Sequence, residues 1–363
     1  MPSLTANLPD EYRVATEDDL TQRIQAKKKE LGSKLLILTH HYQRVEIVGH
    51  GDIIGDSYGL SKIASESKEA EIIAFCGVRF MAEAANILCS PEQQVYLPNP
   101  TAGCPMADMA PSHLVYRAWD DIGQRIGDKG IVPISYMNSS ADLKAFTGRN
   151  KGLICTSSNA DAAFTWAYKN FDKLFFFPDQ HLGRNTAKKF GISKDQILLY
   201  DPLKNNGGVT DEQLERAKVV LWYGLCHVHA NFKPEHVDMW RERDPNVKIV
   251  VHPECEEGVV DKADAVGSTS FIVKYVEEAP AGSTIAIGTE LNLIHRLSLT
   301  HKDKKIFELT GDSCPMCSNM FRTTLADLCF TLENPEKAER IIVPDDIKAD
   351  AKIALQRMLE IGK

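Results

Sequence analysis

Three of the nine cysteines have the setting that a metal centre needs. Cys104, Cys226 and Cys317 each lie shortly after an apolar run that is typical of a strand. Three thiolates could bind zinc or an iron–sulfur cluster, but structural zinc sites usually take four ligands in paired local groups, which this spacing lacks. An iron–sulfur cubane held by three thiolates would leave one iron open as a Lewis acid.

The other cysteines offer a second chemistry or none. Cys314 and Cys317 form a CxxC pair, which could instead be a redox dithiol or half of a zinc site. The remaining five are expected to be small buried hydrophobic residues, as free cysteines usually are. They are Cys76, Cys89, Cys155, Cys255 and Cys329.

Polar side chains stand at the ends of three equivalent apolar runs, where parallel sheets bind their ligands. The pairs at these ends are His40 and Tyr42, Tyr136 and Asn138, and His252 and Glu254. In each copy a hydroxyl also precedes the next helical stretch: Ser57, Ser157 and Thr269. Such hydroxyls could simply cap the helices, or they could bind an anion together with the free N–H groups of a helix N-terminus.

The elements that must position these residues repeat three times along the chain. The copies begin at LLILTHHYQ, IVPISYMN and KIVVHPEC, and each continues through helical stretches and three further apolar runs. Phe75, Phe177 and Ile287 in the third run of each copy all precede the leucine of the fourth run by 22 residues. Any α/β chain shows a similar order of elements, but the shared spacing favours true repeats. Alternating strands and helices predict parallel sheets with helices on both faces.

We therefore expect three homologous αβα sandwich domains in a pseudo-threefold arrangement around a central site. The predicted units are residues 1–115, 116–226 and 227–363. The middle unit is enlarged between Pro178 and Cys226, where a turn, a polar helix and a further strand are predicted. Helices near Glu17–Leu31 and Ala349–Ile361 complete the expected fold.

Composition excludes several classes of function. A net charge of −8 argues against nucleic acid as the main partner, because phosphate binding needs an excess of Lys and Arg. The N-terminal residues lack the basic and apolar regions of a secretory signal, and no apolar stretch approaches the length of a membrane span. A cytoplasmic protein with reduced cysteines is expected.

The motifs together resemble the quinolinate synthase family, in its longer-chain branch. The resemblance covers nearly the whole chain and rests on the order of many short segments. They include THHYQ, FCGVRFMAE, LPNPTAGCPMADM, SYMNSSAD, FPDQHLGRN, LWYGLCHVH, HPEC, GSTS, IGTE and CPMCSNM.

The resemblance implies three α/β domains around one [4Fe-4S] cluster per chain. It implies condensation of iminosuccinate with dihydroxyacetone phosphate to quinolinate in NAD biosynthesis, with loss of phosphate and two waters. The implied cluster ligands are Cys104, Cys226 and Cys317; Cys317 is chosen over Cys314 because the C-x-x-M that follows it matches the family's ligand context. The implied iminosuccinate-binding residues are His40, Ser57, Tyr136, Met137, Asn138, Ser157, His252, Pro253, Glu254 and Thr269.

The chemistry requires groups that move protons, and five residues are candidates. Glu254 and Tyr42 are the preferred general acid/base candidates, with His40, His229 and His252 as alternatives. Each could instead orient the substrate by hydrogen bonding. Unstable iminosuccinate also suggests transient contact with an L-aspartate oxidase. Two rival functions share the pattern: another small-molecule lyase that uses a cluster or zinc, and a non-catalytic iron–sulfur sensor.

Overall fold

Three separate β-sheets, each built from one of the sequence repeats, form the framework of the protein. The computed structural model describes residues 8–127, 130–311, 313 and 315–362. Packing divides these residues into two units. One unit holds the first sheet and the other holds the second and third sheets. The predicted α/β class is confirmed, and the three sheets predicted from the repeats are mostly parallel.

The first sheet comes from the first repeat. Its elements are α1 (Asp10–Arg13), α2 (Glu17–Leu31), β1 (Leu35–His40), α3 (Val45–Val48), β2 (Ile53–Gly55), α4 (Ser57–Glu66), β3 (Ile72–Cys76), α5 (Arg79–Leu88) and β4 (Gln94–Tyr96). The four strands are parallel in the order β4-β3-β1-β2. The predicted N-terminal helix at Glu17–Leu31 is confirmed as α2, and Thr16 caps it by accepting the N–H of Asp19.

The second sheet contains the enlargement that the sequence predicts. Its elements are α6 (Pro105–Asp108), α7 (Ser112–Ile126), β5 (Ile131–Tyr136), α8 (Ala141–Arg149), β6 (Leu153–Cys155), α9 (Ala160–Asn170), β7 (Lys173–Phe177), α10 (Gln180–Lys189), β8 (Ile197–Tyr200), α11 (Asp211–Arg216) and β9 (Val219–Trp222). The strand order is β6-β5-β7-β9-β8, all parallel. The additional strand β9 therefore lies between the third and fourth strands of its repeat, and Cys226 follows it.

The third sheet repeats the order of the first. Its elements are α12 (Pro234–Arg243), β10 (Lys248–Val251), α13 (Glu257–Lys262), β11 (Ala265–Val266), α14 (Thr269–Glu278), β12 (Thr284–Gly288), α15 (Leu291–Thr300) and β13 (Lys305–Glu308). The strands are parallel in the order β11-β10-β12-β13. In all three sheets the first strand of the repeat lies between the second and the third.

Most strands are buried on both faces because helices cover each sheet. All six residues of β5 are buried, as are the last four of β7. Phe175, Phe177 and Trp222 fill one face of the second sheet and are fully buried. Two-sided burial is the reason that these strands are continuous apolar runs rather than alternating ones.

The C-terminal elements are α16 (Leu325–Glu333), β14 (Arg340–Ile341) and α17 (Asp345–Ile361). Sequence order groups them with the third repeat, but α16 packs on α2, and β14 pairs antiparallel with β4 of the first sheet. The helix α17 packs against α8 and β6 of the second sheet. An amphipathic helix binds wherever apolar surface is open, and sequence order does not specify that place.

No helix among the described residues is both long and apolar enough to cross a lipid bilayer.

Candidate active site

The strand ends carry the side chains that the repeats predict. His40 is the last residue of β1, Tyr136 is the last residue of β5, and His252 directly follows β10. All three are nearly inaccessible to solvent. They therefore lie at the carboxyl ends of equivalent strands, where parallel sheets bind ligands.

Glu254 is the centre of a buried polar network in the second unit. Its Oε1 accepts a hydrogen bond from the hydroxyl of Tyr136 at 2.5 Å. Its Oε2 lies 2.9 Å from Nδ1 of His229, whose Nε2 lies 3.2 Å from the hydroxyl of Thr289. The rings of His229 and His252 stack with 4.4 Å between their centroids. The network joins the predicted residues Tyr136, His229, His252 and Glu254 in one place.

The charges in this network keep Glu254 ionised. Complete burial alone would raise the pKa of its carboxyl, but the neighbouring His229 and His252 and the hydrogen bonds outweigh burial and lower the pKa to about 2. An ionised carboxylate only accepts hydrogen bonds. Nδ1 of His229 is therefore the donor to Glu254, and its Nε2 faces the hydroxyl of Thr289.

Two histidines at equivalent strand ends each make the same type of hydrogen bond with the backbone. Nδ1 of His40 accepts the N–H of Tyr42 at 3.1 Å, and Nδ1 of His252 accepts the N–H of Glu254 at 3.3 Å. Because Nδ1 is an acceptor, the neutral ring carries its proton on Nε2. Each of these histidines can therefore donate a hydrogen bond from Nε2 to a carboxylate or carbonyl oxygen.

The loop that carries Glu254 is held by an amide. Nδ2 of Asn185, in α10, donates to the carbonyls of Pro253 and Cys255 at 2.8 Å each. These two bonds flank Glu254 and fix its backbone. Asn185 is buried, so the loop cannot exchange these bonds for water.

The three hydroxyls do not cap their helices, which corrects one of the two readings of the sequence. The side chain of Asp56 caps α4 and that of Ser268 caps α14, so Ser57 and Thr269 are the first residues inside these helices. Ser157 lies in the turn before α9, whose N-cap residue is Asn159. Capping therefore does not explain these three hydroxyls. Ser57 and Thr269 begin their helices, where anions are favoured, and Ser157 lies in the turn that leads into α9.

In the first unit, Tyr42 lies beside His40. The two rings meet edge to face with 4.8 Å between their centroids. The carbonyl of Tyr42 accepts a hydrogen bond from Nδ2 of Asn292 at 3.2 Å. Tyr42 is half-buried, so its hydroxyl is less enclosed than that of Tyr136.

Solvent exposure separates the cysteines into two classes. Cys104, Cys226 and Cys317 are partly exposed, whereas the other five described cysteines are buried. Burial raises the pKa of the thiols of Cys76 and Cys329 to about 12, so both stay protonated at neutral pH. Metal ligation requires a thiolate, and the three partly exposed residues are the better donors. Cys314 lies outside the described residues.

Buried carboxylates hold two of these cysteine loops. Oδ2 of Asp179 accepts the N–H of Cys226 at 3.2 Å, and Oε1 of Glu290 accepts the N–H of Cys317 at 3.1 Å. Both carboxyl groups are inaccessible to solvent, and burial raises the pKa of each, to about 8 for Glu290. Asp179 lies two residues after β7 and Glu290 lies two residues after β12, which are the third strands of the repeat pattern.

Backbone bonds hold the cysteine loops in a repeated way. The N–H of Arg79 donates to the carbonyl of Ala102, and the N–H of Gln180 donates to that of Gly224, both at 2.9 Å. In both cases the acceptor precedes the cysteine by two residues. Within the first unit, the N–H of Gly103 also donates to Oδ1 of Asn319 at 3.2 Å, which joins the loops of Cys104 and Cys317.

Comparisons with known proteins agree with the motifs. A family model described as "Quinolinate synthetase A protein" matches residues 22–360. A quinolinate synthase of Corynebacterium glutamicum is 48% identical over 357 residues, which cover 98% of this chain and 90% of the relative. One of Herpetosiphon aurantiacus is 47% identical over 359 residues, with 97% and 95% covered.

The chain belongs to the quinolinate synthase family. The relatives are named as enzymes, and the chain is an enzyme of this family.

The family's implied iron–sulfur cluster is compatible with the donors of this chain. Cys226, His229 and Glu254 have ligand atoms within 4.8 Å of one another, which makes this group able to hold a metal. The partly exposed thiols are the soft donors that clusters require. The other five described cysteines are buried, which makes them poorer ligands for a cluster.

The sequence alone predicted no role for several residues of the site. Asp179, Asn185, Thr289 and Glu290 are all buried and all contact a predicted site residue or its loop. Asp179 and Glu290 could have been noticed in the sequence, because each lies just after an apolar run. A carboxyl group buried there costs free energy unless it is hydrogen-bonded. The sequence did not show which N–H groups they accept.

Proposed function

We propose that the protein condenses iminosuccinate with dihydroxyacetone phosphate to form quinolinate in NAD biosynthesis. Phosphate and two waters are the other products. The observation that carries the proposal is the Tyr136–Glu254–His229 network, with contacts of 2.5 and 2.9 Å, beside Cys226 in a chain of this family. We place the reaction in the cytoplasm, where the thiols stay reduced.

Cys104, Cys226 and Cys317 would hold the cofactor, one [4Fe-4S] cluster. With three protein thiolates the cluster keeps one iron open, which supplies a Lewis acid for a substrate oxygen or nitrogen. Cys317 remains the proposed third ligand, since Glu290 holds its backbone N–H and so orients the residue.

Hydrogen-bond donors would bind the carboxylates of iminosuccinate. His40 and His252 offer Nε2–H groups, since the backbone occupies Nδ1 in both. Tyr136, Met137, Asn138 and Pro253 would shape the remaining contacts. Met137 and Pro253 would act through their backbones.

The three non-capping hydroxyls would bind the other anionic groups. Ser57 and Thr269 begin their helices and Ser157 lies in the turn before α9, and N–H groups and the helix dipole at such N-termini favour carboxylate or phosphate.

Proton transfer would be divided among the residues around Glu254. The low pKa of Glu254 makes it a weak base at neutral pH, which favours orienting His229 and Tyr136 over accepting a proton from substrate. His229, oriented through Nδ1, can move a proton at Nε2 with Thr289. Tyr42, beside His40, is the proposed acid or base in the first unit.

Iminosuccinate hydrolyses readily, so its supply must be rapid. We propose transient contact with the L-aspartate oxidase that produces it. Cross-linking of the two proteins during turnover tests this contact. Equal quinolinate yields from enzymes kept together and enzymes kept apart would contradict it.

One experiment tests the main proposal. Purification without oxygen should give a brown protein with about four iron atoms per chain, the content of one cubane. The protein should form quinolinate from iminosuccinate and dihydroxyacetone phosphate. A colourless, zinc-loaded and active protein would contradict the cluster, and ligand binding without turnover would favour an iron–sulfur sensor.

A further inference from the structure

Lys144 is a fully buried lysine that has no role in the proposed reaction. It is the fourth residue of α8, and its side chain is inaccessible to solvent. The helix is covered by α17, which packs against it within the second unit. Lysine is almost never fully buried unless its charge has compensating contacts.

The position of Lys144 is electrostatically unfavourable by itself. The N-terminal turn of a helix carries positive potential, so a cation is destabilised there. Removing an ammonium from water adds a further cost. Methionine or leucine would fill the same space without this cost, so the hydrogen bonds that Lys144 donates to the backbone must offset it.

The contacts of Lys144 identify the loop that it serves. Its Nζ donates to the carbonyl of Met137 at 2.9 Å and also to that of Ser139. The N–H of Met137 donates to the carbonyl of Cys155 at 2.8 Å, which ties the same loop to the neighbouring strand. The loop between β5 and α8 is therefore fixed from two sides.

Two serine hydroxyls complete this support. Ser135 donates to the hydroxyl of Ser139 at 2.9 Å, and Ser139 donates to the carbonyl of Tyr136 at 3.0 Å. All of these groups are buried. Tyr136 and Asn138 therefore extend from a fixed loop. The carbonyls of Met137 and Ser139 in this loop accept hydrogen bonds from the Lys144 ammonium.

We propose that Lys144 positions the Tyr136–Asn138 loop and supplies a buried positive charge that attracts a small dicarboxylate to it. The inference rests on the proposed function, since it assigns an anionic substrate to that same site. It predicts that Lys144 affects binding of the anion more than the chemical step, because it contacts the loop and not the reacting atoms.

Succinate and succinamate provide the test, since they differ by one negative charge. Isothermal titration should show that K144M weakens succinate binding by about tenfold or more, and succinamate binding by less. The variant should also raise the KM for iminosuccinate by a similar factor, with a much smaller change in kcat. K144Q keeps a donor for a loop carbonyl without the charge, and it should lose the same preference for succinate.

Lys173 supplies a matched control. Its Nζ also donates to backbone carbonyls, those of Leu214 and Ala217 at 3.2 and 2.7 Å. It begins β7, however, and so lies at the amino ends of the strands, whereas the Tyr136–Asn138 loop follows the carboxyl end of β5. K173M should therefore lower thermal stability and leave succinate affinity unchanged.

Three results would overturn the inference about Lys144. They are unchanged succinate affinity in K144M and K144Q, equal loss of both ligands, and no succinate binding by the wild-type protein. Quinolinate formation by the wild-type enzyme is measured separately, so failure of the inference is distinguishable from failure of the proposed function.

Discussion

At the scale of single residues, the environment of a side chain decides its chemistry more than its type does. Glu254 and Glu290 are both completely buried, yet the pKa of the first is lowered to about 2 and that of the second is raised to about 8. The neighbouring His229 and His252 and the hydrogen bonds outweigh burial at Glu254, whereas burial dominates the pKa of Glu290. One glutamate is therefore an ionised acceptor at neutral pH, and the other retains much of its proton.

Removing the charge of Glu254 should disable the site without unfolding the protein. E254Q keeps the shape but places an amide against the proton on Nδ1 of His229, so we expect kcat to fall by about a hundredfold or more. Quinolinate formation and circular dichroism measure the two effects. The control E256Q alters a solvent-accessible ion pair with Lys233 and should stay near wild type. Wild-type kcat in E254Q would contradict the role.

His41 should make the protein sensitive to acid. Burial and Arg296 lower the pKa of His41 to about 4, below the value of about 6.5 in an unfolded chain. Between these values the unfolded state binds a proton that the folded state does not, so the contribution to stability is present above pH 6.5 and is lost toward pH 4.

The variant H41Q tests this pH dependence. Its amide oxygen can still accept from Arg296, which donates to Nδ1 of His41 at 3.0 Å. Thermal unfolding from pH 7 to 4.5 should show a smaller loss of stability in H41Q than in the wild type. The control H113Q, at an exposed site, should follow the wild type. Parallel curves for H41Q and the wild type would refute the prediction.

At the scale of elements, close packing is specified where two helices touch. Gly148 of α8 faces α17, and a Cβ built there would lie 2.0 Å from the carbonyl oxygen of Asp350. No rotamer relieves a contact with backbone, so the two helices need glycine at this position.

Alanine at Gly148 should therefore destabilise the second unit. We expect G148A to lower the free energy of unfolding by about 1–3 kcal/mol, the usual range for overpacking. Gly123, inside α7, is a matched control, because its Cβ would meet no atom within 4 Å. G123A should stabilise by about 0.5–1 kcal/mol through helix propensity. Denaturant unfolding compares the two, and equal effects would contradict the packing argument.

At the scale of the whole molecule, the proposed cluster takes one thiol from each sequence repeat. Cys104, Cys226 and Cys317 follow the closing strands of the first, second and third repeats. Backbone hydrogen bonds hold the loops of Cys104 and Cys226. The buried acids Asp179 and Glu290 accept the N–H groups of Cys226 and Cys317. Cluster assembly would therefore report on the correct folding of all three repeats.

Loss of any one ligand should abolish both cluster and activity. We expect C104A, C226A and C317A to lack the iron–sulfur absorbance, whereas C89A should keep it because Cys89 is buried. Iron analysis after oxygen-free purification measures the outcome. Loss of the cluster in C314A, with retention in C317A, would show that the third ligand was assigned wrongly.

The sequence by itself determined the three repeats, the strand ends that carry His40, Tyr136 and His252, and the family. These depend on local apolar periodicity and on residue types at fixed spacings, which are properties of the chain alone. The middle unit's added strand and the helix at Glu17–Leu31 were predictable for the same reason.

Only the tertiary structure decided which groups meet. It showed that Asp56 and Ser268 cap the helices in place of Ser57 and Thr269. It also showed that α17 packs on the second sheet, and that Glu290 accepts the N–H of Cys317. Partners, burial and the resulting pKa values depend on contacts between residues far apart in sequence, and no local pattern encodes them.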